Sequence, residues 1–187
     1  YPLALVSMDN CFKNGEKLRE AVLTMTEAWR KAGFVEEGFA AYVSDEKTVA
    51  FPWTMIDKIT PRPSEQIAED LEKLGVEDMK PVITGKKTYI APFVNAEKPQ
   101  YLVIEDSFPN GRPALEKGVG VYMADRETVN LSERMKVTVC LNPVHSATGP
   151  LGVVQGYDLF AHMLNTNPDM MKMARMVVYD EGLPVVP

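Results

Sequence analysis

Pro143 stands inside a stretch whose pattern is otherwise helical. No other feature constrains the fold of the second half of the chain as strongly. Asp125 is suited to cap a helix that begins there. Pro143 should end or kink that helix, because proline has no backbone donor and its ring clashes with the preceding turn. Asn142 then suits the N-cap of a new helix that ends near Asn165. The sequence therefore predicts two consecutive helices that meet at Asn142.

The same stretch carries three polar side chains that suit the oxidation of an alcohol. Lys136, Asn142 and His145 lie within about three helical turns of one another. An amine can take a proton, an amide can stabilise an oxyanion and an imidazole can hold a hydroxyl. Lysine is usually a solvated surface residue, but Lys136 is followed by the mostly apolar run 137–141, which we expect to be buried. Glu133 lies one helical turn before Lys136 and could orient it or accept its proton.

Elsewhere the chain alternates between helical patterns and short apolar runs. Helices are predicted over 14–31, with Asn14 as the cap, over 36–43, and over 64–74, with Ser64 as the cap. Short apolar runs that suggest strands are 3–7, 81–83, 88–93 and 100–104, and 119–123 is a further strand or a loop. The predicted fold class is α+β, mostly α-helical, with a small β element.

The composition is that of an ordinary globular chain, 45% hydrophobic and 25% charged. A formal charge of −6, without any basic run that aromatic residues interrupt, excludes a nucleic-acid partner. The two cysteines, Cys11 and Cys140, are too few for a disulfide framework and indicate the reduced thiols of a cytoplasmic protein. No apolar run reaches the ~20 residues that a membrane-spanning helix needs, so no membrane is expected as a partner.

Four motifs, ordered along the chain, resemble one enzyme family. They are Val6-Ser-Met-Asp-Asn10, Met55-Ile-Asp-Lys-Ile-Thr-Pro61, Val103–Pro113, which contains Ile-Glu-Asp-Ser-Phe-Pro-Asn-Gly-Arg, and the lysine segment Glu133–His145. Together they resemble the polyol-specific long-chain dehydrogenases, which include mannitol dehydrogenase, fructuronate reductase and D-mannonate oxidoreductase. The resemblance runs from about Leu3 to Tyr157.

The resemblance assigns roles to the polar residues of these motifs. It implies that Lys136 is the general base and that the amides of Asn142 and Asn10 stabilise the alkoxide-like oxygen. His145 would bind and position the reacting hydroxyl. Asp57 would lie near the nicotinamide and the substrate.

Arg112 is less firmly tied to the family's chemistry. Arg112 could reach a substrate carboxylate or phosphate, but its motif is mostly architectural, with ion pairs expected among Glu105, Asp106 and Arg112.

The lysine segment departs from the family, since five residues separate Lys136 from Asn142, one more than usual. One extra residue rotates a helical side chain by ~100°, so these two side chains would diverge unless a π-bulge absorbs it.

The resemblance also implies a cofactor and a further domain. NAD or NADP would be bound mainly by an N-terminal Rossmann domain of the same protein, which is expected to be largely absent from this chain. Residues 1–10 would be the last strand of that missing domain, and residues 11–187 a helical substrate and catalytic domain truncated at its C-terminus. The glycines at 118–124 do not sit between a strand and a capped helix, so they predict no dinucleotide site. No metal site is predicted either.

The predicted function is that of part of an oxidoreductase. It would interconvert a secondary alcohol of a sugar alcohol or aldonate with the corresponding ketose or ketouronate, and the 187-residue fragment should be inactive alone. A lysine Schiff-base enzyme of the aldolase kind is a second interpretation, and a non-catalytic helical interaction domain is a third. Mannitol, fructuronate, tagaturonate or a phosphorylated polyol as substrate, the choice between NAD and NADP, and the oligomeric state stay open.

Overall fold

The structure, a computed structural model, describes residues 1–60, 62–96 and 101–186. Pro61 of the second motif and Gln100 of the predicted strand 100–104 lie outside the described residues. The chain divides into two compact units, one of Tyr1–Asp57 with Tyr101–Pro187 and one of Lys58–Gln100. The predicted domain boundary between residues 10 and 11 stays a prediction.

Helices and short strands alternate along the described residues. In chain order they are β1 (Leu3–Ala4), α1 (Asn14–Lys31), α2 (Glu37–Ser44), β2 (Val49–Ala50), β3 (Thr54–Met55), α3 (Glu65–Lys73), β4 (Val82–Ile83), β5 (Tyr89–Ile90), β6 (Leu102–Glu105), β7 (Val121–Ala124), α4 (Arg126–Glu133), α5 (Asn142–Val154), α6 (Phe160–Thr166) and α7 (Pro168–Met176). A π-helix over Arg134–Leu141 joins α4 to α5, and a second one over Val177–Gly182 follows α7.

Two of the small sheets contain parallel pairs. Strand β1 pairs with β2 in parallel, with Leu3 opposite Val49. Parallel neighbours need a crossover connection, and helices α1 and α2 supply it. In the second sheet β6 lies between β3, which is antiparallel to it, and β7, which is parallel to it. The third sheet is the antiparallel pair of β4 and β5.

A buried cluster lies where β3 and β6 meet helix α4. Trp53, Met55, Val103 and Val129 form it, and Tyr101 and Ala124 pack against it half-buried. Because the strands are so short, this side-chain cluster and not a long hydrogen-bonded ladder ties the elements together. It fixes the segments that precede Asp57 and follow residue 100, and both contribute to the candidate site.

The long helical stretch does not end at Pro143, contrary to the sequence prediction. Asp125 caps it as predicted, since its carboxylate accepts the backbone N–H of Thr128 at 2.7 Å. Asn142 is not an N-cap, because its φ of −65° and ψ of −47° are helical. A π-helix takes more residues per turn than an α-helix, so the chain passes Pro143 without a break. The conditional prediction of a π-bulge between Lys136 and Asn142 is confirmed.

The first helix is confirmed over its full predicted length, but its cap is not. Helix α1 runs over Asn14–Lys31, and Gly33, at a φ of +72°, follows its end. The N-cap position belongs to Lys13, which has a left-handed backbone with a φ of 53°. Asn14 is buried inside the first turn, and its side chain bonds elsewhere.

Candidate active site

A cleft in the larger unit brings together three of the predicted site residues. Asn10 lies in the loop after β1, Asp57 follows β3, and Glu133 ends α4. The described residues that line the cleft are Asp9, Asn10, Cys11, Thr54, Met55, Ile56, Asp57 and Glu133. Residues far apart in the sequence therefore bring one amide residue and three acidic residues, Asp9 among them, to one space.

Lys136 is joined to this cleft through Asp57. It lies half-buried in the π-helix, and its Nζ donates a hydrogen bond to the backbone carbonyl oxygen of Asp57. The same Nζ lies 5.1 Å from the centroid of the Tyr101 ring, within the range of a cation–π contact. The amine is thus held by a carbonyl dipole and an aromatic face instead of extending into solvent.

Glu133 is a buried acid on the wall of the cleft, with 7% of its surface exposed. Burial raises its pKa above the ordinary value, and the negative charge of Asp57 raises it further. The backbone N–H of Lys13, 3.5 Å from the Glu133 carboxylate, and the charge of Lys17 act in the opposite direction. The net effect favours the protonated form of Glu133, which makes this group a possible acceptor and donor of protons.

Asn142 and His145 lie in the first turn of α5, and both are exposed. Neither is among the described residues that line the cleft. The His145 ring stacks on Phe160, with centroids 4.3 Å apart and planes 17° apart. Its Nδ1 lies 2.8 Å from the carbonyl oxygen of Leu141. Because a carbonyl can only accept, Nδ1 carries the hydrogen, and Nε2 is the acceptor of the neutral ring.

Arg112 is not among the described residues that line the cleft, and its guanidinium is paired with carboxylates. Its guanidinium contacts Asp106 at 2.7 and 2.8 Å and Glu116 at 2.6 Å. These hydrogen bonds raise the pKa of Arg112, and the pKa of Asp106 is lowered by the same contact. The predicted ion pair of Asp106 with Arg112 is confirmed, whereas Glu105 pairs with Arg126 at 3.0 Å.

Two residues that contact the site were not predicted from the sequence. Tyr101 faces the Lys136 amine, and Asn14 bonds to Asp9 and Thr54 of the cleft wall. No spacing rule connects Tyr101 to a helix that begins more than twenty residues later. Asn14 precedes a helical pattern, and a capping residue is the usual meaning of that position.

A search of the described residues finds neither a metal site nor a membrane span. No group of three His, Cys, Asp or Glu side chains in this part of the chain is arranged to hold a metal ion. None of the helices that the structure describes is long and apolar enough to cross a membrane.

Comparisons with known proteins connect this arrangement to dehydrogenases. The family "Mannitol dehydrogenase Rossmann domain" matches residues 1–117. A D-mannonate oxidoreductase of Thermotoga maritima is 54% identical over 186 residues, 99% of this chain and 34% of that protein. A crystal structure of D-sorbitol dehydrogenase superposes with a TM-score of 0.74 at 26% identity, covering 99% of this chain and 33% of that one. The mannitol 2-dehydrogenase of Pseudomonas fluorescens, solved with NAD and D-mannitol, gives a TM-score of 0.64 at 29% identity, covering 100% and 33%.

The chain belongs to the mannitol dehydrogenase family, as the four motifs predicted. It spans about a third of the length of the relatives that it matches. The Rossmann domain of the family is represented in residues 1–117. The predicted fold class, with that domain largely absent, is therefore wrong, and so is the prediction that a missing domain holds the NAD. Strand β1 lies within the predicted strand 3–7, but β2 is only two residues long and was not predicted, and the parallel pairing of the two strands was not visible in the sequence.

Proposed function

We propose that this chain carries the catalytic side chains of an NAD-dependent oxidoreductase that interconverts a secondary alcohol and a ketone in a sugar alcohol or aldonate. The supporting observation is the hydrogen bond from Lys136 to the Asp57 carbonyl, next to the cleft that Asn10 and Glu133 line. The 54% identity with a D-mannonate oxidoreductase, against 29% with a mannitol 2-dehydrogenase, favours an aldonate as substrate.

Each proposed catalytic side chain has one task. Lys136 takes the hydroxyl proton during oxidation and returns it to the ketone oxygen during reduction. The amides of Asn10 and Asn142 donate hydrogen bonds to that oxygen as it gains negative charge. His145 holds the hydroxyl through Nε2, since its Nδ1 donates to the Leu141 carbonyl.

The remaining predicted residues assist. Glu133 can accept the proton of Lys136, because burial favours its protonated form. Asp57 anchors the Lys136 amine through its backbone oxygen. The contact of Arg112 with a substrate carboxylate or phosphate stays a prediction, because Asp106 and Glu116 already pair with its guanidinium.

The polar side chains around the cleft suit the nicotinamide end of NAD, but the space between them in this structure is too small to admit the ring. NAD, when bound, supplies the acceptor for the hydride that leaves the carbinol carbon. Ligands of α/β folds bind beyond the carboxyl ends of parallel strands, and the cleft is lined by residues 9–11, which follow the parallel strand β1. Asp57 would lie near the nicotinamide end. Assays of the complete dehydrogenase with each cofactor distinguish NAD from NADP.

We propose further that the chain acts within a longer dehydrogenase. The proteins that it matches are about three times as long, so a substrate site built on their whole length would be incomplete here. The 187 residues alone should therefore not turn over.

Substitution of Lys136 in the complete dehydrogenase tests the function. Oxidation of D-mannonate and D-mannitol, and reduction of the matching ketouronate and ketose, would be followed with both NAD and NADP cofactors. We expect Lys136→Ala to lower kcat by about 10²–10⁴-fold in both directions, the usual contribution of a general acid–base. Lys172→Ala is the matched control, since Lys172 is an exposed lysine of α7.

Two results would contradict the proposal. One is turnover that survives Lys136→Ala while the control behaves like the unsubstituted enzyme. The other is covalent trapping of substrate on Lys136 by borohydride, because a Schiff-base lysine is reduced in that way and a general base is not.

A further inference from the structure

The side chain of Asn14 links the loop that carries Asn10 to strand β3. Asn14 is buried, with 2% of its surface exposed. Its Nδ2 lies 2.9 Å from the carbonyl oxygen of Asp9 and 2.7 Å from Oγ1 of Thr54. Its Oδ1 accepts the backbone N–H of Thr54 at 3.0 Å. An amide in the first turn of α1 thus bonds to two segments that are far apart in the sequence.

Thr54 adds a second link between the same two segments. Its hydroxyl donates to the carbonyl oxygen of Ser7 at 2.7 Å while it accepts from Asn14, and Thr54 is itself 2% exposed. Buried hydrogen bonds of this kind are costly to leave unmade. The Asn14–Thr54 pair therefore fixes the Ser7–Asp9 loop against β3.

The two fixed segments carry residues of the cleft. Asn10 follows Asp9 directly, and Asp57 lies three residues after Thr54. Both line the cleft, together with Glu133. The Asn14–Thr54 pair therefore links the segment before Asn10 to the segment before Asp57, whose carbonyl oxygen accepts a hydrogen bond from Lys136.

We propose that Asn14 and Thr54 are positioning residues that hold the Asn10 amide where the reacting oxygen of the substrate lies. This inference rests on the proposed function, since it needs Asn10 to act on that oxygen. A misplacement of about 1 Å at a reacting group can cost about 10²-fold in rate, so a distant hydroxyl can matter to turnover.

A double-mutant cycle in the complete dehydrogenase tests the proposal. Thr54→Val keeps the shape of the side chain and removes the hydroxyl, and Thr54→Ser keeps the hydroxyl. We expect Thr54→Val to lower kcat by about 10- to 100-fold. KM should change much less, because an oxyanion donor acts in the transition state. Thr54→Ser should restore most of kcat.

The second arm of the cycle repeats these substitutions with Asn10→Ala. That change alone should lower kcat by about 10²–10³-fold, as the loss of an oxyanion donor does. In this background Thr54→Val should change kcat by less than about 2-fold, since the group that it positions is gone. Asn14→Ala should behave like Thr54→Val, and the threonine variants decide the matter if Asn14→Ala fails to fold.

Thr48→Val is the matched control. Its hydroxyl donates to backbone carbonyls of Tyr42 and Asp45, outside the residues that line the cleft. An equal loss of kcat in Thr48→Val would overturn the inference, and so would an equal loss from Thr54→Val with and without Asn10. If Asn10→Ala leaves kcat unchanged, the proposed role of Asn10 fails and the inference fails with it.

Discussion

The two parts of the candidate site are held in different ways. Asn10, Asp57 and Glu133 line a cleft whose walls are joined by buried hydrogen bonds between distant parts of the sequence. Asn142 and His145 are exposed, and the bond of His145 is to a carbonyl one helical turn away. The backbone around the cleft is therefore fixed by tertiary contacts, although Asn10 itself is exposed, whereas the orientation of the second part follows that of helix α5.

The π-helix over Arg134–Leu141 is the element that connects the two parts. It contains Lys136, whose amine is tied to the cleft, and it ends directly before Asn142. Because each π-helical residue turns the chain by less than an α-helical one, the extra residue before Asn142 rotates that side chain less than it would in an α-helix. π-Helical turns often occur at functional sites, and here one sets the angle between the proposed base and the proposed oxyanion donor.

The largest expected effect comes from filling the tight contact between helix α1 and residues 51–53. A Cβ at Gly15 would lie 2.5 Å from Cδ1 of Trp53 and 2.6 Å from the carbonyl oxygen of Phe51. Backbone oxygens cannot move aside cheaply, so we expect Gly15→Ala to lower the free energy of unfolding by about 3 kcal/mol or more. Chemical denaturation of the two proteins measures this difference.

Gly149 provides the matching substitution in the part of the site that lies on α5. Apart from its chain neighbours and its own helix backbone, no atom lies within 4 Å of a Cβ built there. Gly149→Ala should change the free energy of unfolding by less than about 1 kcal/mol, because the gain of alanine in a helix interior is opposed by the contact of its Cβ with Pro150. Equal effects of the two substitutions would remove the contrast between a packed and an open position.

The next prediction concerns how pH acts on the buried acid. The pKa of Glu133 is raised above its ordinary 4.5 by burial, so the folded protein holds this proton more tightly than the unfolded chain. The stabilisation from the protonated group is complete below about pH 4.5 and is lost as the pH rises through the folded pKa. Glu133→Gln stays neutral and should lack that loss, which unfolding measured from pH 4 to pH 8 would reveal.

Asp106 provides the opposite case and serves as the control. Its pKa is lowered by the hydrogen bond from Arg112, so its contribution is present above the ordinary value of 3.8 and is lost as the pH falls through the folded pKa. Asp106→Asn should therefore lower the free energy of unfolding at neutral pH but not in acid. The same pH dependence in both variants would show that burial does not distinguish the two carboxyl groups.

Local signals in the sequence predicted most of the helices, but the helix expected from Asn142 to about Asn165 is divided into α5 and α6. The apolar spacing of residues 14–31 and the cap at Asp125 depend on neighbours within one helix, and both predictions are confirmed. Asn14 was expected to cap that helix, but its partner Thr54 lies forty positions away. The spacing of residues along a helix carries no information about such a distant contact. An asparagine that caps a helix therefore cannot be distinguished in the sequence from one whose amide is buried.

The Rossmann domain was missed for a related reason. Strand β1 was predicted within 3–7, but its partner β2 is two residues long and lies 46 positions away, so no local pattern indicates that the two pair in parallel. The four motifs were sufficient to identify the family because each is a run of specific side chains. The π-helix was foreseen only because the motif has one residue too many between Lys136 and Asn142, a spacing that a plain α-helix would not tolerate.

The smallest predicted effect tests what holds the Lys136 amine in place. The Tyr101 ring lies 5.1 Å from Nζ, and such cation–π contacts contribute about 0.5–2 kcal/mol. Tyr101→Leu in the complete dehydrogenase should lower kcat by about 2- to 30-fold, since 1.36 kcal/mol corresponds to tenfold in rate. Tyr101→Phe keeps the ring face and should retain most of kcat. Leucine also loses packing against the Trp53 cluster, so both variants are assayed well below their melting temperatures. If leucine and phenylalanine reduce kcat equally, the phenolic hydroxyl matters and the aromatic face does not.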